Sequence, residues 1–287
     1  AAPADIEIAK PGRPLGVGES ITLSAALSPG SAGQYSFASG NRSVAPITSA
    51  GYVKLIKAGT ATITATAYNS VTDSFELVVK KAPSKISLKN AKLTLGVGEK
   101  YALVAALPSD CAGGYSFSSS KSTVARVDKS TGEVTAVKSG SATIYVKTYN
   151  GKSARCAVTV KSAPKSVAVS PAAMALGVGE ARLLKISLSK NSAGACDFSS
   201  SDDAVALVDA ITGAVTAVGE GDAVITATTY NGVKVDCAVT VRKAPVNGCV
   251  LVSPVQMTIG VGEKVRLIAE YRPGYAGQYG FSSANKS

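Results

Sequence analysis

The sequence predicts an all-β protein, a tandem array of small β-sandwiches of about seven strands each with no helix of note. Three observations carry this. A glycine-rich pentapeptide recurs at a near-constant interval. Runs of alternating apolar and polar residues recur in every interval. Turn signals separate those runs, and no stretch shows the helical period.

The pentapeptide is LGVGE at Leu15–Glu19, Leu95–Glu99 and Leu176–Glu180, and IGVGE at Ile259–Glu263. Its leading glycines, Gly16, Gly96, Gly177 and Gly260, are 80, 81 and 83 residues apart. A fixed period of this length is the mark of an array of similar units. A second marker keeps the same phase: KKAPSKISL from Lys80, KSAPKSVAV from Lys161 and RKAPVNGCV from Arg242. Ala2-Pro3 stands 80 residues before Ala82-Pro83. The predicted units are therefore 1–82, 83–163 and 164–244, followed by the first half of a fourth, 245–287. Each is near the small end of what can bury its own core. Hydrophobic residues make up 46% of the 287. Even so, no run approaches the roughly 18 apolar residues that span a membrane.

The fragment aligns with the first unit so that Ser287 falls on Ser43. It lacks counterparts of SVAPI, GTATITATAY and SFELVV, which supply the second half of a sandwich core. The expectation is that Val261, Leu267 and Phe281 face water, and that the natural chain continues by at least about 40 residues to finish the fourth unit.

Within a unit the strands are read as follows. SATIYVKTY (Ser141–Tyr149) alternates, with Ala142, Ile144, Val146 and Thr148 on one face. The first unit matches with Ala61, Ile63, Ala65 and Ala67, the third with Ala223, Ile225, Ala227 and Thr229. Period two marks a half-buried strand. Asn150-Gly151 and Asn231-Gly232 follow, then ARCAVTV or VDCAVTV. Asn-Gly between two such runs predicts a type I′ hairpin. Asn69-Ser70 in the first unit predicts a looser turn. DKSTGEVTAV at Asp128–Val137 and DAITGAVTAV at Asp209–Val218 predict a further hairpin.

The pentapeptide itself admits two readings. A phosphate-binding glycine loop needs a helix N-terminus behind it. Here strand alternation follows, and the third glycine of GxGxxG is missing. The favoured reading is a structural joint. In it Gly16, Gly18, Gly96, Gly98, Gly177, Gly179, Gly260 and Gly262 supply backbone angles that other residues avoid. Val17, Val97, Val178 or Val261 would plug the end of the core.

The order LGVGE, then SFSS, VARVD, TGEVTAV, SGSATIYVKTYNG and CAVTV resembles the bacterial immunoglobulin-like domain, group 2. Three copies and half of a fourth cover essentially the whole chain. The resemblance implies immunoglobulin-like sandwiches in tandem. It also implies an exported setting, as on intimin- and invasin-like adhesins, secreted glycan-active enzymes or virion proteins. It supplies no ligand. The family usually carries Trp where this chain has Phe37, Phe117, Phe198 and Phe281, and the chain has no Trp.

Nothing in the sequence assembles a catalytic centre. There is no His, the commonest general base and metal ligand. No Cys-x-x-Cys and no calcium-loop motif occurs, so no cofactor or metal is expected. Asp128 in DKSTGE and the acids of SDDAVALVD (Ser201–Asp209) are read as turn and solvated-loop residues. Cys156 and Cys237 share one inward position of the last strand, and Cys196 replaces the tyrosine found as Tyr35, Tyr115 and Tyr279. Two readings stand for the candidate pairs Cys196–Cys237 and Cys111–Cys156: disulfides, which an exported setting allows, or buried thiols. Cys249 is left without a partner in this chain.

The net charge of +11 divides as +2, +8 and −1 for the three units and +2 for the fragment. The basic excess lies in the second unit. A solvated surface accounts for it. Attraction of anionic cell-wall polymer or surface glycan is the alternative. Stacking aromatics are not interleaved with the basic residues, which argues against nucleic acid.

Two function classes follow. The first is a non-catalytic stalk at a bacterial cell surface, or on a virion, whose partners are the neighbouring units and, in a fibre, further copies. The short KAP linkers fit, because proline limits the hinge. The second is a ligand-binding or adhesion module. Its contact tips would be Tyr68-Asn69, Tyr149-Asn150 and Tyr230-Asn231.

Overall fold

The computed structural model describes residues 1–284, so Ser287 and its alignment with Ser43 lie outside the described residues. All regular elements among the described residues are strands. The described residues form two compact units, one of 1–94 and 100–160, the other of 95–99 and the described residues from 161 onward.

The first unit begins with a two-layer sandwich. One layer runs Leu15–Gly16, Thr72–Lys80, Gly59–Ala67, Tyr35–Ser39 in spatial order. Its first pair is parallel and the others antiparallel. The other layer pairs Ile6–Ile8 with Ala25–Leu27, and Ser20–Thr22 with Tyr52–Lys54. The predicted inward face is buried: Ala61, Ile63, Ala65 and Ala67 share one core with Leu15, Phe37, Val53 and Leu55. Small residues on the long strand leave volume for the large side chains of that shared core.

The second repeat copies this plan. Ser153–Lys161, Gly140–Thr148 and Tyr115–Ser119 lie side by side. Ala142, Ile144, Val146 and Thr148 are buried, as the alternation predicts. The run after the pentapeptide is not one strand. Lys100–Ala102 pairs with Glu133–Ala136, and Ala105–Ala106 pairs with Ser87–Leu88. The break falls at Leu103, which is 3% exposed and donates its N–H to the Gly132 carbonyl. Leu23 does the same to Gly51. A buried leucine at a strand corner lets one strand serve two pairings.

The tip hairpins correct the sequence reading. Thr148 and Lys152 pair, and the Gly151 N–H closes the turn on the Thr148 carbonyl. Only Gly151 has a positive φ, +85°, so the turn is not type I′, which needs two. The first repeat is no looser. Ser70 takes the glycine position at φ 68° and closes the same bond to Ala67.

The second unit holds the third repeat. Its larger layer runs Ala173–Gly177, Lys234–Arg242, Gly221–Thr229, Cys196–Ser200. Ala223, Ile225 and Ala227 pack with Leu176, Phe198, Val215 and Val239 in one core. In the fragment, Val250–Ser253 pairs with Ile268–Tyr271. Val261, Leu267 and Phe281 are exposed, as expected.

All five cysteines are free thiols, so neither candidate disulfide is formed. Strand register gives the reason. Cys237 lies opposite Ile225, and Ile225 opposite Ser200, whereas Cys196 is four residues back along that outer strand. Four residues and two strand spacings put the Cα atoms about 16 Å apart, far beyond the roughly 7 Å limit for a bridge. Cys156 lies opposite Ile144 at mid-strand, while Cys111 bridges to Lys81 in the loop ahead of Tyr115. Cys249 is a third case, a buried thiol whose backbone pairs with Val246 and Arg272.

Candidate functional site

The recurring pentapeptide builds a joint, and the first unit shows all of its parts. The main chain supplies the first. Lys81, in the linker, forms a parallel bridge with Cys111, and the Ala112 N–H donates to the Lys81 carbonyl at 3.1 Å. This fastens the start of the second repeat to its own loop.

The pentapeptide supplies the second part. Gly16 is packed so tightly that a Cβ there would overlap the Ala112 carbonyl oxygen. Its φ is not in the left-handed region; that angle belongs to Gly18, at +92°. The two glycines therefore do different work, one for close approach and one for the turn. Sequence reasoning assigned both to backbone angle. It also gave the core plug to Val17. The plug is Leu15, 2% exposed, with Leu95 and Leu176 equally deep. Val17 packs only partly against the core, and Val178 is 38% exposed.

Glu19 is the third part, and sequence reasoning missed it. It is 6% exposed. Its Oε2 accepts the Gly16 N–H at 2.8 Å, and its Oε1 accepts the Gly114 N–H of the next repeat at 2.9 Å. Arg13 closes over it, with Nη2 2.5 Å from Oε1 and Nη1 3.1 Å from Oε2. Burial pushes the Glu19 pKa up, but Arg13 and the two backbone N–H groups outweigh it and hold the carboxyl below its ordinary range. The signal was in the sequence: an acid at one fixed place after each Gly-Val-Gly.

The tip residues complete the joint. The Tyr149 hydroxyl donates to the Val17 carbonyl. Burial, then the nearby Glu19 charge, raises its pKa. Asn150 turns the other way and donates Nδ2–H to Pro83 O at 2.8 Å. Asn69 does the same to Pro3 at 2.8 Å. Tyr68 is 60% exposed.

The second unit contains the same constellation around Leu95–Glu99, except that Leu93 stands in the place of Arg13. A Cβ on Gly96 would overlap the Ala193 carbonyl. Glu99 is 6% exposed and accepts from Gly96 N–H at 2.8 Å and Ala195 N–H at 2.9 Å. Tyr230 Oη donates to Val97 O at 2.7 Å, and Asn231 Nδ2 to Pro164 O at 2.9 Å. Ser162 bridges Ser192 as Lys81 bridges Cys111. Further on, Gly177 lies against Ala276 O, and Lys243 bridges Tyr275. Glu180 there accepts Gly177 N–H at 3.2 Å and pairs with Arg182 at 3.3 Å. Gly260, with Gly262 at φ +84°, folds the same turn around Glu263, which accepts its N–H at 2.9 Å.

The acidic loops are turn locks. Asp128 Oδ1 accepts N–H from Ser130 and Thr131 and the Thr131 hydroxyl. Asp209 repeats this with Ile211 and Thr212. Among the described residues no group of three His, Cys, Asp or Glu is placed to hold a metal. Among the described residues no helix is long and apolar enough to cross a membrane.

A family model described as bacterial Ig-like domain (group 2) matches residues 6–79, 84–158 and 163–239. No curated protein matches. Among solved structures, the S-layer protein rSbsC(31-844) is 18% identical over 88% of this chain and 42% of its own, with a TM-score of 0.28. The C-terminal 282-residue fragment of intimin, solved with the intimin-binding domain of its translocated receptor, is 16% identical over 57% of this chain and 67% of its own, at TM-score 0.25. Protocadherin Gamma B2 extracellular cadherin domains 3–6 are 14% identical over 85% of this chain and 77% of their own, at 0.23. The chain spans less than half the length of the S-layer structure.

Proposed function

Because the chain belongs to the bacterial Ig-like domain (group 2) family, a tandem module of structural or adhesion type, we propose that it is a non-catalytic spacer. In this reading it is a semi-rigid stalk in an exported bacterial surface or fibre protein, carrying a functional head away from the surface.

One observation carries the proposal: the joint at Leu15–Glu19 recurs at Leu95–Glu99 with its close-packed glycine, its buried carboxylate and its tyrosine, Arg13 alone having no counterpart. Each turn is tied to the loop beyond it by a buried carboxylate, a tyrosine hydroxyl and a glycine with no room for a side chain. Such a joint resists bending through short-range packing and hydrogen bonds, and an array lengthens by adding units of this kind. The engagement of Tyr149 and Tyr230 in these joints favours the spacer over ligand contact at those tips. The absence of His from the sequence supports the non-catalytic part.

Backbone 15N relaxation of the full chain tests it. Amides in residues 6–79 and 84–158 should share one tumbling time, and Glu19→Ala should separate them. Independent tumbling in the unsubstituted chain would overturn the spacer reading.

A further inference from the structure

The first unit contains a cleft of about 600 Å³ beside the joint, with Arg13, Ala112 and Gly114 common to both. Its walls include Arg13, Lys80, Gly114, Tyr115 and Lys129. A second hollow of about 310 Å³ lies beyond, sharing Arg13, Gly114, Tyr115 and Ser116 and adding Lys147. The two share Tyr115 in their walls and count together as one path.

The charge along this path is positive and unspent. Arg13 is neutralised by Glu19. Lys80 makes one bond, Nζ to the Ser109 carbonyl at 3.2 Å, leaving two ammonium hydrogens. Lys129 and Lys147 have no side-chain partner among the described residues. No acid other than the Arg13-paired Glu19 lines either hollow.

Tyr115 lines both hollows. It is 38% exposed and held edge-on by Phe117 at a centroid distance of 5.9 Å. Its hydroxyl has no partner among the described residues. By contrast, the hydroxyl of Tyr35 accepts the Ala25 N–H, and that of Tyr279 donates to Ala269. The architecture alone does not produce this lining. In the third repeat the corresponding hollow is about 330 Å³ and lined by Leu184, Ile186, Leu188, Cys196, Phe198 and Ile211. Cys196 stands in the place of Tyr115, and Ala210 in that of Lys129.

We propose that this path is a binding site for an acidic saccharide, its C–H face on the Tyr115 ring and its carboxylates on Lys80, Lys129 and Lys147. Volumes of this size suit a short oligosaccharide. Half-exposed aromatic rings present an apolar face beside a polar tip, and lysines take a carboxylate as point charges. Spaced cations flanking one ring fit a chain with a charge on successive sugars better than a single small anion. The proposal stands apart from the spacer reading: Glu19 and Tyr149 line the second hollow, but the side chains of Tyr115, Lys80, Lys129 and Lys147 make none of the joint's hydrogen bonds.

Calorimetry on the full chain at low salt tests it with three probes: tetragalacturonate, the neutral galactose tetrasaccharide and a glycerol-phosphate oligomer. Tetragalacturonate should bind, and the neutral sugar should bind at least about tenfold more weakly. Tyr115→Ala and Lys129→Glu should each weaken tetragalacturonate about tenfold, whereas Lys138→Glu, the same charge change outside the cleft, should shift it less than about twofold. Thermal melts confirm that each variant is folded. No binding of tetragalacturonate, equal losses in Lys129→Glu and Lys138→Glu, or binding of the glycerol-phosphate oligomer alone would each overturn the proposal.

Discussion

Glu19 and Gly114, 95 residues apart, share a 2.9 Å hydrogen bond in which the backbone of one repeat donates to a buried carboxylate of the repeat before it. A carboxylate that is 6% exposed cannot be left without donors. Glu19 has four, from Gly16, Gly114 and two nitrogens of Arg13. Glu19→Ala should therefore cost about 2–3 kcal/mol, the range for hydrogen bonds to a charged group with donors left unsatisfied. The loss falls on the joint rather than on a core. Calorimetric unfolding should show the first two repeats separating into distinct transitions. Arg13→Ala should cost less, because the Arg13 side chain is 45% exposed and water replaces it.

The same residue gives the joint an acid limit. Glu19 is held below its ordinary pKa by the Arg13 pair and two N–H donors, which outweigh its burial. A depressed folded-state pKa means stability that is present above the unfolded value, about 4.3. It is lost as pH falls through the lower folded value. The joint should thus be unchanged from neutrality down to about pH 4.5 and loosen below about pH 4. Joint tumbling in 15N relaxation, followed from pH 7 to pH 3, reads this. In Glu19→Gln the acid step should vanish. A loosening centred near pH 6 would contradict the assignment.

How much of this was legible beforehand depends on the interaction. Alternation at Ala142, Ile144, Val146 and Thr148 was readable because a sheet face is a local pattern of period two. The repeat phase was readable because it is printed four times. The joint was half readable: glycines in a fixed place announce a constraint, but not which one. Gly16 is there for the Ala112 carbonyl, 96 residues away, and no local rule supplies that partner. The role of Glu19 was hidden for the same reason. The cysteine pairs failed on register: an inward position says which face a residue occupies, not how far along it lies. The cleft at Tyr115 needs Arg13, Lys80 and Lys129 brought together from two repeats.

Ser70 offers a gain in stability. It holds φ 68° where the matching residues of the later tips are Gly151 at +85° and Gly232 at +86°. A side chain in the left-handed region costs about 1–2 kcal/mol, while glycine adds about 0.5–1 kcal/mol of unfolded-chain entropy. Ser70→Gly should raise the stability of the first repeat by about 0.5–1 kcal/mol, read as a higher denaturant midpoint at unchanged slope. Gly151→Ala should move the second repeat the opposite way. A Ser70→Gly midpoint equal to or below that of the starting chain would show that this turn carries no such strain.

Thiol chemistry tests the sheet register itself. Cys156 and Cys237 lie at 0% exposure in separate cores, and burial raises the pKa of both. Thiolate is the reactive form, so both should resist alkylation at pH 8 until the chain unfolds. Cys196 is only partly buried at its strand end. Burial raises its pKa too, with smaller contributions from Asp197 and Glu99, so its labelling should be slow but should precede that of Cys237. Mild oxidation of the native chain should yield no Cys196–Cys237 bridge, because the paired strands hold that couple beyond bonding reach, and no Cys111–Cys156 bridge, because Cys156 is buried at mid-strand while Cys111 lies in a loop bridged to Lys81. Non-reducing peptide mapping after oxidation decides it. Recovery of a Cys196–Cys237 peptide in high yield from folded protein would require the Cys196–Ser200 strand both to slide about four residues and to leave its pairing with Gly221–Thr229, because a slide alone keeps two strand spacings, about 10 Å, between the Cα atoms. That slide would carry Phe198 out of the core with it, so the same sample should then show a lower melting temperature.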